Sequence, residues 1–544
     1  MEIARLIGGA GTGKTSELLR LMARVIERGI EPREIGFVSF TRAARREAAE
    51  RASEQFGCTV KELEQYGWFR TLHSVCYRCL EIKSKELLSG DKESLEWLTD
   101  AIGEKASFVE GDGDREAKLG STADLALFIW HAARARLEPL EAAYERMSRA
   151  NSELPPLGYC RTIAERFELA KRLDGRCDFS DLLSRFAGLR FGADLSLAET
   201  EPEGFVPGLP VWFFDEQQDT SPLLDRVCRR LIGSPKVKWV YVAGDPFQSI
   251  YGWAGSDAAC FMAWDAEHEK IMKKSWRCGG EILSLGEKCI EKSSDYFDRE
   301  IAPADRAASV QRLGSLEAAL TEVDPESDWL LIARTNWEAR RWQRLLSERE
   351  YPWTATKGNG AWLARSKVDA MHGLLCLSSG MTADAHEVKR IFESIPSKCS
   401  KGELLKRGSK TKAKKREQWP DEIPLGLFGS YGATPLLLSM IQSGEWTTLI
   451  ERGAEFMRVI NRHGPLVALD PRIKVGTIHS VKGAEAESVA INLGASYPIA
   501  RARDLCPDAR DEERRVAYVG VTRAKSRLVL ASNPHCRFQM KPGD

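Results

Sequence analysis

Residues 3 to 15 constrain this chain more than any other stretch. Ile3 to Ile7 form an apolar run of strand character, and Gly8-Gly9-Ala10-Gly11-Thr12-Gly13-Lys14-Thr15 follows at once. Glu17-Leu18-Leu19-Arg20-Leu21-Met22 then opens a helical pattern. This is G-x-x-x-x-G-K-[ST] in a strand–loop–helix setting. A glycine-rich turn of no chemical consequence could match the spacing alone, but it has no need of both flanks. Small residues let the backbone N–H groups of Gly9, Ala10, Gly11, Thr12 and Gly13 point inward and cradle phosphates, with the helix N-terminus behind them. In that frame Lys14 reaches the β- and γ-phosphates and the Thr15 hydroxyl ligates Mg²⁺. The expected ligand is a nucleoside triphosphate.

The chain has 544 residues, more than one ordinary core accommodates, so several domains are expected. Its 79 basic and 79 acidic residues cancel, and no global field announces a polyanion; a local basic groove is still sufficient for nucleic acid. The phosphate loop arrives before any secretory h-region, and no apolar run reaches membrane-spanning length, so the expectation is a cytoplasmic protein with no membrane partner. The thirteen cysteines are scattered through apolar patterns, which reads as reduced core thiols. Cys76-x-x-Cys79, with His73 and Cys58 upstream, allows a zinc site on paper. A packed helix face is the commoner outcome where no second pair exists.

Along the chain, Ile35 to Phe40 reads as a strand, Thr41 to Ala49 as an alanine-rich helix with a basic start, and Trp68 to Ser74 as a strand end entering a helix. Residues 81–174 are helical and strand-poor, like an inserted domain. Val211-Trp212-Phe213-Phe214 and Lys238 to Ala243 are buried strands ending in Asp215-Glu216 and in Gly244-Asp245-Pro246-Phe247-Gln248. Alternating strands and helices predict a parallel sheet with its site at the strand C-termini. A second α/β pattern begins near Trp276, with strands at Trp329 to Ala333, Ile473 to Ile478, Ser488 to Asn492 and Arg527 to Ala531. Residues 371–470 form a second helical insertion. Asp215 is expected to hold Mg²⁺, Glu216 to orient or deprotonate the attacking water, and Gln248 to sense the γ-phosphate.

The motifs GGAGTGKT, FVSFTRAAR, RTLHS, DFSDLL, FFDEQQDTS, VAGDPFQSIYGWAGSD, KSWR, VGTIHSVKGAEAE and ERRVAYVGVTRAKSRLVL occur in this order from Ile3 to about Ser532. Together they resemble the UvrD/Rep/PcrA group of superfamily 1 DNA helicases. The resemblance implies an α/β fold of two RecA-like P-loop NTPase domains, each with a mainly helical insertion. Residues 1–80 with 175–275 would form the first and 276–370 with 471–544 the second. It also implies ATP bound between the two domains and 3′-to-5′ movement on single-stranded DNA that unwinds duplex at single-strand–duplex junctions. Arg277 and Arg523 match the arginines that reach the γ-phosphate, Trp276 the aromatic that stacks on adenine, and Glu485 the glutamate on the ribose. Thr41, Arg42, Ala43, Thr71, His73, Tyr251, Trp253, His479 and Ser480 match positions that contact the DNA strand, a set suited to sequence-tolerant binding.

The chain also departs from the family. Ser16 stands where an arginine often stacks on the base, Leu72 replaces a phenylalanine and Ala254 an arginine. The glutamine segment that usually precedes the phosphate loop is expected to be missing, which leaves base recognition largely to Trp276. The second insertion lacks the family's Gly-Ile-Gly turn; it carries instead a basic run, Lys406 to Arg416. That run reads either as a solvated mobile loop or as a contact to a duplex phosphate backbone. Three functions stay open on sequence: a helicase that works with replication or repair proteins, a single-strand translocase that strips proteins with little unwinding, and a recruitment factor switched by ATP.

Overall fold

The computed structural model describes residues 1–39, 42–107, 120–150, 154–358, 360–416 and 419–543; the side chains of residues 42–44, 66 and 150 also lie outside the description. The chain divides into two compact units. One comprises Met1–Ser309, Ala495–Ser526 and Phe538–Asp544, and the other Val310–Gly494 and Arg527–Arg537.

In the first unit, strands β1 (Glu2–Gly8), β2 (Ile35–Val38), β3 (Trp68–Arg70), β4 (Val211–Phe214), β5 (Trp239–Gly244) and β6 (His268–Met272) form one sheet in the order β3-β2-β4-β5-β1-β6. Every neighbouring pair is parallel. All the strands therefore run out at one edge, where their loops meet. Both faces are covered, which is why β2 and β4 are buried at every position rather than alternating. Leu18, Leu19 and Met22 of the first helix pack with Phe37 and Phe213 on one face. Leu182, Leu183, Leu223 and Val227 pack with Phe214 and Val242 on the other. Strand β6 escaped the sequence reading because His268-Glu269-Lys270 is charged and exposed, as an edge strand can be.

The segment read as the first insertion forms helices Lys92–Ile102, Thr122–Arg136, Leu140–Ala150 and Leu157–Asp174. They close over their own core, with Leu98, Ile102, Leu127, Trp130, Ile163 and Phe167 at its centre. Cys76 and Cys79 lie in the core of the main sheet, and burial pushes the Cys79 thiol up to about 12. They are core thiols; among the described residues the one group of three carboxylates, histidines or cysteines close enough together to hold a metal is Glu168, Asp178 and Asp181, and these are ion-paired with the buried Arg134 and Lys171.

The second six-stranded sheet contains β7 (Ser309–Leu313), β8 (Trp329–Ala333), β9 (Trp353–Ala355), β10 (Ile473–Thr477), β11 (Ala486–Asn492) and β12 (Ala524–Ala531), in the order β9-β10-β8-β11-β12-β7. The pairs β9–β10, β10–β8 and β8–β11 are parallel. The helical insertion here shares one continuous core with the sheet: Trp329, Leu331 and Trp342 belong to the same cluster as Val388, Ile391, Leu437 and Phe456. The basic run is not a loop throughout, because Ser409–Lys415 is helical. The fold is thus α/β, with two RecA-like sheets and two mainly helical insertions.

Candidate functional site

The loop after β1 leads into helix α1 (Lys14–Glu27) through Gly11 and Gly13, whose φ angles of 69° and 80° lie in the left-handed region. A side chain at Gly11 would collide with Arg277, whose Cβ lies 2.3 Å from where a Cβ would stand. The loop is held from several sides. Thr12 Oγ1 donates to Gly9 O at 3.0 Å, Ser275 Oγ to Ala10 O at 2.9 Å, and the Trp276 N–H to Gly11 O at 2.8 Å. The Ala10 N–H donates to the Tyr518 hydroxyl at 3.0 Å. Lys14 is buried, and its ammonium lies on the loop carbonyls, 2.9 Å from Gly8 O and 3.4 Å from Gly9 O.

Asp215 and Glu216 sit at the end of β4, as their place in the sequence predicted. The Thr15 hydroxyl donates to Asp215 Oδ2 at 2.7 Å, so the two residues expected to hold Mg²⁺ already share a site. Burial, with Glu216 beside it, pushes the Asp215 carboxyl up to about 7. A hydroxyl and a buried, electrostatically stressed carboxylate are the hard oxygen donors a divalent cation takes; the residues present fit the metal. Glu216 adopts the left-handed conformation with φ 56°, uncommon for a residue with a side chain and a form of strain that clusters at functional sites.

Gln218 ties this carboxylate to the next strand: its amide nitrogen donates to the Glu216 carboxylate and its oxygen accepts from the Asp245 N–H at 3.0 Å. Asp245 is fully buried and is the hub of the site. It accepts from Gln248 Nε2 at 2.7 Å, from Arg299 Nη1 at 2.6 Å and from the Tyr518 hydroxyl at 3.1 Å. Arg523 is buried; its Nε donates to Val519 O at 3.0 Å, and its Nη2 stands 3.5 Å from Gln248 Oε1. Burial and then the neighbouring Arg277 push its guanidinium down to about 10, which leaves it charged at neutral pH. Arg277 Nη1 is 3.3 Å from Thr522 O.

Lys14, Thr15, Asp215, Glu216, Gln248, Arg277 and Arg523 are therefore brought to one edge of one sheet. Trp276 stands beside the loop with 68% of its surface exposed, 3.8 Å from where a Cβ on Gly13 would be. Ser16 is exposed on the first turn of α1. Sequence reasoning missed Gln218, Asp245, Tyr518 and Arg299 as members of this network. Gln218, Asp245 and Tyr518 lie inside motifs already singled out, whereas Arg299 belongs to none.

The positions expected on the DNA strand are more dispersed. Thr71 is buried and caps helix Leu72–Leu80 by accepting from the Ser74 N–H. The His73 ring meets Phe179 edge-on, with ring centres 5.6 Å apart. Tyr251 and Trp253 are half-buried, with ring centres 6.1 Å apart, and Trp253 also packs at 5.6 Å on Phe128 of the helical insertion. In the second unit His479 is buried, Ser480 Oγ lies 2.7 Å from Thr356 Oγ1, and Glu485 is exposed just before β11. Thr41 and the side chains of Arg42 and Ala43 lie outside the described residues.

Comparison with known proteins agrees with this geometry. The model of the UvrD/REP helicase N-terminal domain matches residues 3–269, and that of the UvrD-like helicase C-terminal domain matches residues 458–534. The chain belongs to the UvrD/REP helicase family. The family's N-terminal match contains the phosphate loop, Asp215, Glu216 and Gln248, and its C-terminal match contains His479, Ser480, Glu485 and Arg523. A putative ATP-dependent DNA helicase, YjcD of Bacillus subtilis, is 22% identical over 97% of this chain and 76% of its own length. The ATP-dependent DNA helicase UvrD2 of Mycobacterium tuberculosis is 24% identical over 99% of this chain and 78% of its own. The ATP-dependent DNA helicase PcrA of Staphylococcus aureus is 22% identical over 65% of this chain and 48% of its own.

Proposed function

We propose that this UvrD-family chain is an ATP-dependent DNA helicase that moves 3′ to 5′ along single-stranded DNA and unwinds duplex DNA ahead of it. One observation carries the reading: the phosphate loop, Asp215-Glu216, Gln248, Arg277 and Arg523 converge in a single hydrogen-bonded network at one sheet edge. A protein that only displays a bound nucleotide has no physical need of a water-orienting carboxylate and two arginines in the same place.

In this proposal the loop N–H groups and Lys14 bind the β- and γ-phosphates of ATP. Thr15 and Asp215 would hold Mg²⁺, which when bound would supply positive charge against the phosphate oxygens. Glu216, aimed by Gln218, orients water for in-line attack and takes its proton. Gln248 reports the γ-phosphate to Asp245 and, through Tyr518, to the loop itself. Arg277 and Arg523 stabilise charge on the transferred group, a contribution worth roughly 10³ to 10⁵ in rate where such arginines are measured. Trp276 stacks on the base and Glu485 contacts the ribose. The strand runs past Thr41, Arg42, Ala43, Thr71, His73, Tyr251, Trp253, His479 and Ser480, with residues 1–80 and 175–275 as one RecA-like domain and 276–370 and 471–544 as the other. No helix among the described residues is long and apolar enough to cross a membrane, and the proposed place of work is the cytoplasm.

The test is steady-state ATPase activity of the full chain with and without single-stranded DNA, beside Glu216→Gln. DNA should stimulate turnover, and the variant should lose about 10²- to 10⁴-fold in kcat. Duplexes with 3′ or 5′ tails then test direction, with the 3′ tail unwound. Turnover indifferent to DNA would overturn the motor; unwinding from the 5′ tail alone would overturn the polarity.

A further inference from the structure

Arg299 belongs to none of the sequence motifs, yet its side chain reaches the centre of the site. It follows the helix Gly280–Ile290 on a segment without regular structure, and its side chain is wholly buried. That segment is tied to the chain running from β6 to Arg277. The Ala302 N–H donates to Lys273 O and the Ser275 N–H to Ala302 O, both at 2.8 Å. Ser275 in turn holds Ala10 of the phosphate loop through its hydroxyl. A Cβ on Gly9 would lie 2.3 Å from Ile301 Cδ1 and 3.4 Å from Arg299 Nη1, so the guanidinium stands directly behind the loop.

The guanidinium is fixed both in place and in plane. Nη1 donates to Asp245 Oδ1 at 2.6 Å and Nη2 to Glu287 Oε1 at 2.7 Å. The centres of the Phe247 and Tyr518 rings lie 4.7 Å and 5.4 Å from its central carbon. A planar fork spans two carboxylates at once, where a lysine offers one point of charge. Nε is buried with no hydrogen-bond partner among the described residues. Apolar packing often matches a buried ion pair in stability, and an orphaned donor subtracts from it. What the arrangement supplies is direction. Asp245 receives two donors on each oxygen: the Phe247 N–H at 3.2 Å and Arg299 on Oδ1, Gln248 Nε2 and the Tyr518 hydroxyl on Oδ2. Four donors fill the acceptor sites of a carboxylate, so the group cannot turn without losing bonds. Arg299 is the one cation among them. Its hold on Oδ1 leaves Oδ2 to Gln248, and a carboxylate oxygen takes the amide nitrogen, not the amide oxygen. The Gln248 amide is thereby set with Nε2 on Asp245 and Oε1 on the side of Arg523, 3.5 Å from its Nη2.

We infer that Arg299 is a positioning residue for ATP hydrolysis: by clamping Asp245 it fixes which way the Gln248 amide faces the γ-phosphate. This rests on the helicase reading above and adds a residue that reading does not use. Arg299 touches no reacting atom. Without it Asp245 is a buried carboxylate lacking its cation, an arrangement that persists only if the group shifts toward other donors. Gln248 then loses the partner that directs it.

The experiment compares Arg299→Lys, which keeps the charge but reaches one carboxylate, with Arg299→Gln, which loses it. Each is made in the full chain, alone and combined with Gln248→Ala. Steady-state hydrolysis gives kcat and the KM for ATP, with and without single-stranded DNA, on samples whose fold is checked by thermal unfolding. Arg299→Gln should lower kcat about ten- to a hundredfold, as misplacing a catalytic group from a distance does, with KM within about threefold. Arg299→Lys should fall between it and wild type. In the Gln248→Ala background the same replacements should remove less than about twofold more, because residues that act through one another are not additive. A kcat within about twofold of wild type in every folded variant would overturn the proposal. So would a raised KM with kcat kept, which marks uniform binding, or losses that multiply in the double variants, which mark a role independent of Gln248. Failure of both replacements to fold would make Arg299 a structural residue and overturn it too. The motor reading fails separately, when wild-type turnover ignores DNA, and the same comparison on basal turnover then still decides Arg299.

Discussion

Tyr518 shows how one hydroxyl joins two halves of the site. It accepts from the Ala10 N–H of the phosphate loop and donates to Asp245, which in turn receives Gln248 and Arg299. Tyr518→Phe removes that bridge and leaves a buried N–H without its acceptor, a cost of about 1 to 3 kcal/mol. A lower unfolding midpoint with ATP turnover reduced together is expected, and a variant equal to wild type in both would show the hydroxyl to be idle. Glu17, in the first turn of α1, makes a prediction in pH. Its hydrogen bond to Arg20, with Lys270 also in contact, holds its carboxyl down to about 2 against burial. A lowered carboxylate pKa stabilises the fold fully above the ordinary value near 4.5 and loses that contribution as pH falls toward 2. The stability gap between wild type and Glu17→Gln, about 1 kcal/mol because both partner cations stand largely in solvent, should be present at pH 7 and close across that interval.

At the scale of elements, the DFSDLL stretch has a structural duty that its motif status does not announce. Asp178 caps helix Phe179–Ala187 by accepting from the Asp181 N–H. It also receives the buried Arg134 at 2.7 Å and Lys171 at 2.9 Å, from two helices of the first insertion. Glu168 and Asp181 complete the cluster, with the His131 ring 2.8 Å from Arg134. Burial pushes Asp178 up, but Arg134, Lys171 and His131 outweigh it and hold the carboxyl well below its usual range. This is the joint by which the insertion is fixed to the sheet. Asp178→Asn leaves two buried cations short of one anion and should cost about 3 kcal/mol, toward the lower end for a broken buried pair because two carboxylates remain. Denaturant unfolding of the full chain measures it, and a change below about 0.5 kcal/mol would show that the remaining acids suffice.

Across the whole molecule, what could be read from sequence was whatever depends on neighbours along the chain. The strand–loop–helix of residues 2–27, the buried runs Val211–Phe214 and Trp329–Ala333, and the acidic pair at a strand end follow from local hydrophobicity and turn chemistry. The edge strands His268–Met272 and Trp353–Ala355 were not legible, since their short or charged stretches become strands only when a neighbour supplies the ladder. Nor was the helix in the basic run, which its repelling lysines disfavour and the contact of Ser409 Oγ with Gly432 O, at 3.4 Å, supports. The sequence by itself determined the phosphate loop, the order of its partner motifs and the family to which they belong, because each is a short pattern of residue types. Only the tertiary structure decided that Asp245 is the hub, that Gln218, Tyr518 and Arg299 surround it, and that Asp178 ties down the insertion. Those pairings join residues up to 273 positions apart, and no local pattern encodes a contact made by strands laid side by side.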